Sequence, residues 1–312
     1  MYHNGAARRI GYGVRYRGRC HTDCREGYAR AAQDDICELK WGSGMIYAMS
    51  DIHGFTDLFQ RNLKRIDLSG ENRLVLLGDY IDHGPESGKT LRLVIETQKR
   101  YGVEKVIAIR GNHEEAFLDW LDAWSGPNAG KPDENGIVPW SGWLCTDPDY
   151  GALRAFVTEK QWESFQQIVQ TASEDALNIE AARMVLSSNG DLIPWLRGLP
   201  YFYETERQIF VHAGIDEASG DRWRYSTPKS VFLDKHPASA GSFYKDIIGG
   251  HLSTAHIAGD PDFHGVYHDG QSHYYIDGTV YESGRIPILV YDETDGKYWE
   301  MGPEPHFDRQ EE

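Results

Sequence analysis

Five times in this chain a short apolar run ends in Asp, His or Asn at or near a glycine. Met45-Ile46-Tyr47-Ala48-Met49 leads into Ser50-Asp51-Ile52-His53-Gly54, and Leu74-Val75-Leu76-Leu77 into Gly78-Asp79-Tyr80-Ile81-Asp82-His83-Gly84-Pro85. Val106-Ile107-Ala108-Ile109 leads into Arg110-Gly111-Asn112-His113-Glu114, Ile209-Phe210-Val211 into His212-Ala213-Gly214, and Ile247-Ile248 into Gly249-Gly250-His251. Carboxylate, imidazole and amide donors suit Mn²⁺, Fe or Zn²⁺, and a carboxylate can bridge two cations about 3.5–4 Å apart. Such a pair lowers the pKa of a bound water from about 16 toward about 7. One histidine after a strand is more often a hydrogen-bonded loop residue than a ligand; five such ends together reverse that reading.

Strands must carry these residues. An apolar run stopped by Gly-Asp reads as a buried strand that presents its carboxylate at the carboxyl end, where open α/β sheets place their ligands. Between the first three runs lie two helical patterns. One carries Leu58, Phe59, Leu63 and Ile66 on one side with Thr56 as its cap; the other carries Leu91, Val94 and Ile95, capped by Ser87 and closed by Gly102. This alternation predicts parallel pairing through right-handed crossovers, which puts three motif ends on one sheet edge.

Beyond Glu114 the pattern predicts a helix through Ala116, Phe117, Trp120 and Leu121, a Gly/Pro/Asn-rich break over 125–142, and further helices over 150–187. Leu153, Phe156, Val157, Trp162, Phe165 and Ile168 are their apolar members. We read about 115–198 as a helical insert beside the site, able to select substrates. Its tryptophans Trp120, Trp124, Trp140 and Trp143 read as core rather than as a substrate platform. Short β-type runs at Tyr201–Tyr203, Gln208–Val211, Asp246–Gly250, Tyr274–Asp277 and Ile286–Asp292 predict a second, mixed sheet.

With 48 acidic against 32 basic residues among 312, the formal charge is −16, which opposes nucleic acid and anionic membranes as partners. The same field repels phosphate esters, so a local cationic centre is needed to bind them. No apolar run is long enough to span a bilayer and no signal peptide opens the chain, so a cytoplasmic location is expected. Residues 1–44, rich in Gly, Arg and Tyr, read as a disordered extension outside the core, and 302–312 as a tail. Cys20, Cys24 and Cys37 lack the paired spacing of zinc modules and read as free thiols; Cys145 reads as a buried or loop thiol. His256, His264, His268 and His273 are expected to be surface or turn residues.

The five blocks, in order, resemble the phosphoprotein phosphatase (PPP) branch of the calcineurin-like metallophosphoesterases. That pattern runs GDxHG, GDxxDRG, GNHE, HAG or HGG, then GH; here it reads SDIHG, GDYIDHG, GNHE, HAG and GGH, within a resemblance spanning about 45–301. The resemblance implies one α/β catalytic domain, a metallophosphoesterase β-sandwich of two mixed sheets flanked by helices. It implies that Asp51, His53 and Asp79 hold a first metal and Asp79, Asn112, His212 and His251 a second, with Asp79 as the bridge. The two divalent cations would be Mn²⁺ first, with Fe or Zn²⁺ as alternatives, and a hydroxide between them would attack phosphorus in line. His113 would be the general acid, kept protonated by Asp82. Glu114 would be an orienting hydrogen-bond acceptor.

Asn112 and residue 83 would bind phosphate, but His83 stands where the family has Arg. A histidine is shorter, singly directed and only partly protonated at neutral pH, so the grip is expected to be weaker or supplied by another cation. Arg222 and Arg224, flanking Trp223, are the candidates for that clamp. The resemblance implies a phosphoserine/phosphothreonine protein phosphatase acting on a phosphorylated protein or a small phosphate ester. Two alternatives stand beside it: a nucleotide phosphohydrolase of the symmetrical dinucleoside tetraphosphatase type, and a non-catalytic metal-binding interaction protein.

Overall fold

The three motif-bearing strands lie side by side. In this computed structural model, which describes residues 44–302 except 133–136, 138–141 and 147–148, β1 (Met45–Met49), β2 (Arg73–Leu76) and β3 (Val106–Ala108) pair in parallel. Helices α1 (Thr56–Arg65) and α2 (Ser87–Tyr101) make the crossovers, and α3 (Asn112–Ala123) follows β3 directly. Among the described residues five helices come next: α4 (Gly142–Cys145), α5 (Gly151–Arg154), α6 (Glu159–Val169), α7 (Glu174–Ser188) and α8 (Leu192–Gly198). The expected extension below Gly44 with Cys20, Cys24 and Cys37, the tail beyond Gly302, and Trp140 lie outside the described residues.

A second sheet holds β4 (Phe202–Glu204), β5 (Gln208–Val211), β6 (Asp246–Ser253), β7 (Tyr267–His268) and β8 (His273–Asp277) in the order β4-β5-β6-β8-β7. The chain then returns to the first sheet through β9 (Leu289–Asp292) and β10 (Lys297–Glu300), giving β10-β9-β1-β2-β3. Both sheets are mixed: β1, β2 and β3 are mutually parallel, as are β5, β6 and β8, while β4, β7, β9 and β10 run antiparallel to their neighbours.

Alternation along the strands explains why the sheets stack. Ile46 and Ala48 of β1, Val75 and Leu77 at β2, and Ile107 and Ile109 at β3 pack with Phe210, Ile248 and Ile276 of the second sheet. The intervening Tyr47, Met49, Leu74, Leu76, Val106 and Ala108 join the helix-side core instead. A strand with a period of two and both faces apolar needs cover on both sides. Each fully buried Leu, Ile or Val contributes about 1.5–3 kcal/mol, so the sandwich holds the strand ends rigidly.

Two expected caps are not caps. Thr56 is the first residue of α1, and its hydroxyl bonds Thr90 Oγ1 at 2.8 Å across to α2. The Ser87 hydroxyl instead accepts the Asp82 N–H at 2.9 Å, tying α2 to the second motif. Gly102 does close α2, at φ 96°. Trp120, Trp124 and Trp143 are buried in the core as expected. Cys145, read as a buried or loop thiol, is exposed at the end of α4. No helix among the described residues is long and apolar enough to cross a membrane.

Candidate active site

All five motif ends converge at the carboxyl ends of β1, β2, β3, β5 and β6. Their backbones are unusual: Asp51, His53, Asp79, Asp82, His83 and His251 all have φ between 47° and 67°. This left-handed region costs a non-glycine residue about 1 kcal/mol or more, and it persists where the surrounding structure over-determines it. At β6 the ladder to β8 pairs Gly249 with Tyr275 and next Ser253 with Asp277, so β6 bulges and turns His251 out of the pleat. Two glycines let backbone close on the carboxylates. A Cβ at Gly111 would sit 2.1 Å from Asp79 Oδ1, and one at Gly250 would sit 2.3 Å from Asp51 Oδ2.

Buried Glu114 collects the backbone of two motifs. Its Oε2 accepts the N–H of Asp79 and of Gly111, both at 2.9 Å, and its Oε1 accepts those of Tyr80 at 2.8 Å and Ile81 at 3.3 Å. This is the orienting acceptor expected of it.

The histidines are aimed by carbonyls. His53 Nδ1 donates to Ile81 O at 2.9 Å and His212 Nδ1 to Leu77 O at 2.8 Å, which leaves each Nε2 facing the carboxylates. Those Nε2 atoms lie 3.8 Å and 3.4 Å from Asp79 Oδ2. His251 presents Nδ1, 3.2 Å from Asn112 Oδ1, and its Nε2 meets Asp234 Oδ1 at 3.0 Å. Donor atoms of Asp51, His53 and Asp79 all lie within 4.8 Å of one another, as do those of Asp79, His212 and His251, so Asp79 belongs to both groups.

The electrostatics fit cations. Burial pushes the Asp51 carboxyl up to about 6, with His212 opposing and Asp79 adding to the shift. Burial also works against the Asp79 charge, yet His212, His113 and His53 hold Asp79 well below the usual carboxylate range. His212 is pushed up to about 10 by Asp79 although burial disfavours its charge, whereas burial pulls His53 down to about 4. Burial and the His212 charge likewise pull His251 down to about 4. Two dry carboxylates thus draw positive charge, a proton on His212 included, to the point where the His53 and His251 rings, disfavoured as cations, aim their lone pairs. That donor set suits divalent cations.

On one side of this group stands a proton-bearing pair. His113 Nδ1 donates to Asp82 Oδ2 at 2.8 Å, and its Nε2 points inward, 3.9 Å from Asp79 Oδ2. Burial disfavours the imidazolium, but Asp79 and Asp82 outweigh it and push His113 up to about 9. His83 stacks on Tyr281 at 4.5 Å between centroids and meets His53 and His113 edge-on at 4.7 Å and 5.1 Å. Burial and His113 both lower its pKa, so the ring is neutral at pH 7.

The structure therefore gathers Asp51, His53, Asp79, Asp82, His83, Asn112, His113, His212 and His251. Arg222 and Arg224 are different. Arg224 pairs with Glu204 at the edge of the second sheet, Arg222 is exposed on the segment Glu217–Arg222, and neither bonds to the cluster among the described residues. Three neighbours escaped the sequence reading. Asp277 ends β8 buried, its carboxyl pushed well up by burial and by Asp51, and Tyr274-Tyr275-Ile276-Asp277-Gly278 repeats the strand-then-Asp-Gly signal that could have found it. Asp234 and Trp143 touch the cluster only through folding and left no such signal. His273, expected at the surface, is buried between Asp269 at 3.1 Å and Glu217 at 3.2 Å. A lone histidine inside a strand gave no hint of those partners.

Two mixed sheets flanked by helices, with Asp and His side chains gathered at the strand ends, form an α/β metallophosphoesterase fold. The chain belongs to the calcineurin-like phosphoesterases, whose family pattern matches residues 44–252. A curated relative from Nitrosococcus oceani, named bis(5'-nucleosyl)-tetraphosphatase, symmetrical, is 25% identical over 218 residues, 69% of this chain and 56% of that protein. A protein of the same name from Paracidovorax citrulli is 26% identical over 189 residues, 57% of this chain and 62% of its own length. The chain thus spans less than two thirds of the length of these relatives. Among solved structures, the cold-active protein-tyrosine phosphatase of a psychrophilic Shewanella species matches with a TM-score of 0.44 and 15% identity, over 84% of this chain and 81% of that one.

Proposed function

We propose that this protein is a phosphohydrolase dependent on two divalent cations, and that its first substrates are phosphate monoesters of the phosphoserine or phosphothreonine kind. Asp51, His53 and Asp79 would hold one cation and Asp79, Asn112, His212 and His251 the other, Asp79 belonging to both sets; Mn²⁺ is the first candidate, with Fe or Zn²⁺ suited to the same donors. When bound, the cations supply the positive charge that draws in a phosphoryl group and eases deprotonation of a water. The chain's own residues do the rest. His113 gives the proton on Nε2 to the departing oxygen while Asp82 holds Nδ1, and Asn112 and neutral His83 orient phosphate oxygens. Arg222 is the remaining candidate for an outer phosphate contact; the Arg224 pair with Glu204 argues against Arg224 in that role.

The observation that carries the monoester reading is the His113–Asp82 bond at 2.8 Å, because an alkoxide leaving group needs a proton far more than a nucleotide does. A second reading, hydrolysis of symmetrical dinucleoside tetraphosphates, is supported by the names of the bacterial relatives. The test is phosphate and nucleotide release by metal-stripped protein given Mn²⁺, from a phosphoserine peptide, an aryl phosphate and a dinucleoside tetraphosphate. Turnover of the peptide and aryl phosphate supports the first reading, and preferential dinucleotide cleavage puts the second in its place. Metal binding without any turnover would leave the non-catalytic alternative.

A further inference from the structure

We propose that Trp143, carried by the helical insert, is a positioning residue for the leaving-group acid: its indole N–H holds Asp82, and through Asp82 it holds His113. This rests on the reading of His113 and Asp82 as the acid pair. Asp82 lies in a left-handed turn at φ 67°, with its N–H on Ser87 Oγ at 2.9 Å. That fixes its backbone and leaves the carboxylate to be aimed by its own two oxygens. Oδ2 accepts from His113 Nδ1 at 2.8 Å; Oδ1 accepts from Trp143 Nε1 at 3.2 Å, across 61 residues of sequence.

The donor is well chosen for the task. An indole N–H can only donate, so it cannot take the proton that Asp82 stabilises on His113. It is also rigid. Trp143 is 1% exposed and packs on Phe117 and Trp120, with ring centroids 4.6 Å away in each case, and on Phe156 at 6.0 Å. Helix α4 has only four residues, so the aromatic cluster rather than the helix holds the indole. A plain structural reading also exists, in which a buried indole merely finds an acceptor. The two readings differ in one consequence. If Trp143 aims the acid, losing its N–H harms substrates in proportion to how badly their leaving group needs a proton; if it only packs, the loss does not depend on the leaving group.

The experiment compares kcat of the Mn²⁺-loaded enzyme on 4-nitrophenyl phosphate, whose phenolate leaves readily, and on a phosphoserine peptide, whose alkoxide does not. The proteins are wild type, His113→Asn, Trp143→Phe, and protein with β-(3-benzothienyl)alanine at 143, which keeps the indole's shape without its N–H. Trp143→Phe and the benzothienyl protein are expected to lose about 10-fold on the peptide and less than about 2-fold on the aryl ester, a smaller copy of the His113→Asn pattern. The benzothienyl protein decides if the Phe variant folds poorly. His113→Asn showing the selectivity while the benzothienyl protein loses equally on both substrates, or on neither, overturns the role of Trp143 alone. No selectivity in His113→Asn, or no turnover of either ester by wild type, overturns the acid-pair reading and this inference with it.

Discussion

The Glu114 carboxylate holds the Asp79 amide at 2.9 Å, so the residue shared by both donor groups is placed by a buried acceptor from the next motif. Four backbone N–H groups converge on that carboxylate. In Glu114→Gln one of the two acceptor oxygens becomes a donor facing N–H groups. Since each unsatisfied buried group costs about 1–3 kcal/mol, the variant should lose about 3 kcal/mol of stability, read by urea unfolding of metal-free protein. A loss under about 1 kcal/mol contradicts the role.

His251 depends on Asp234 in the same sense. The carboxylate meets Nε2 at 3.0 Å and so presents Nδ1 to the cluster, although its own side chain is 73% exposed. Partners that orient a metal-bound histidine are typically worth 10–100-fold in metal affinity, and the exposure argues for the lower end. Asp234→Ala should weaken Mn²⁺ binding about 10-fold by calorimetry, whereas unchanged affinity would assign Asp234 to the surface.

His83→Arg tests the departure from the family pattern. Neutral His83 gives phosphate no full charge, and a guanidinium would restore a paired, charged contact. The inhibition constant of inorganic phosphate should fall about 10-fold near pH 7.5, with its dependence on pH flattened. An unchanged constant and profile would show that residue 83 does not touch phosphate.

The His273 clasp gives stability a pH signature. Burial disfavours its charge, but Glu217 and Asp269 outweigh this and raise its pKa. A raised folded-state value means that the stabilisation is complete below the unfolded value of about 6.5 and is lost as pH rises through the folded one. Glu217 has the opposite sign. His273 and Lys235 hold it down to about 2 against burial, so its stabilisation is present above the unfolded value and is lost as pH falls through about 2. His273→Gln should therefore lose about 2 kcal/mol of metal-free stability at pH 6 and markedly less at pH 9. Equal losses at both would contradict the charged clasp.

The strand ends were legible because burial on both faces writes an unbroken apolar run and because Ser-Asp, Gly-Asp, Gly-Asn or His stops it. β1, β2 and β5 fall within a residue of expectation. What stayed hidden was non-local. Trp143, Asp234 and the partners of His273 meet the rest of the site across folds of the chain that no period encodes. Thr56 and Ser87 looked like caps because short hydroxyls favour helix starts, yet tertiary partners took both hydroxyls. The six left-handed site residues are also silent in sequence, since none is glycine. The edge strands β7 and β10 were missed, being short or half polar.

The most direct measurement is calorimetric titration of metal-stripped protein with Mn²⁺, wild type against Asp79→Asn. Asp79 belongs to both donor groups, so the wild type should bind two equivalents per chain and the variant should lose tight binding of both. A single equivalent in the wild type, or two retained in Asp79→Asn, would contradict a shared two-cation centre.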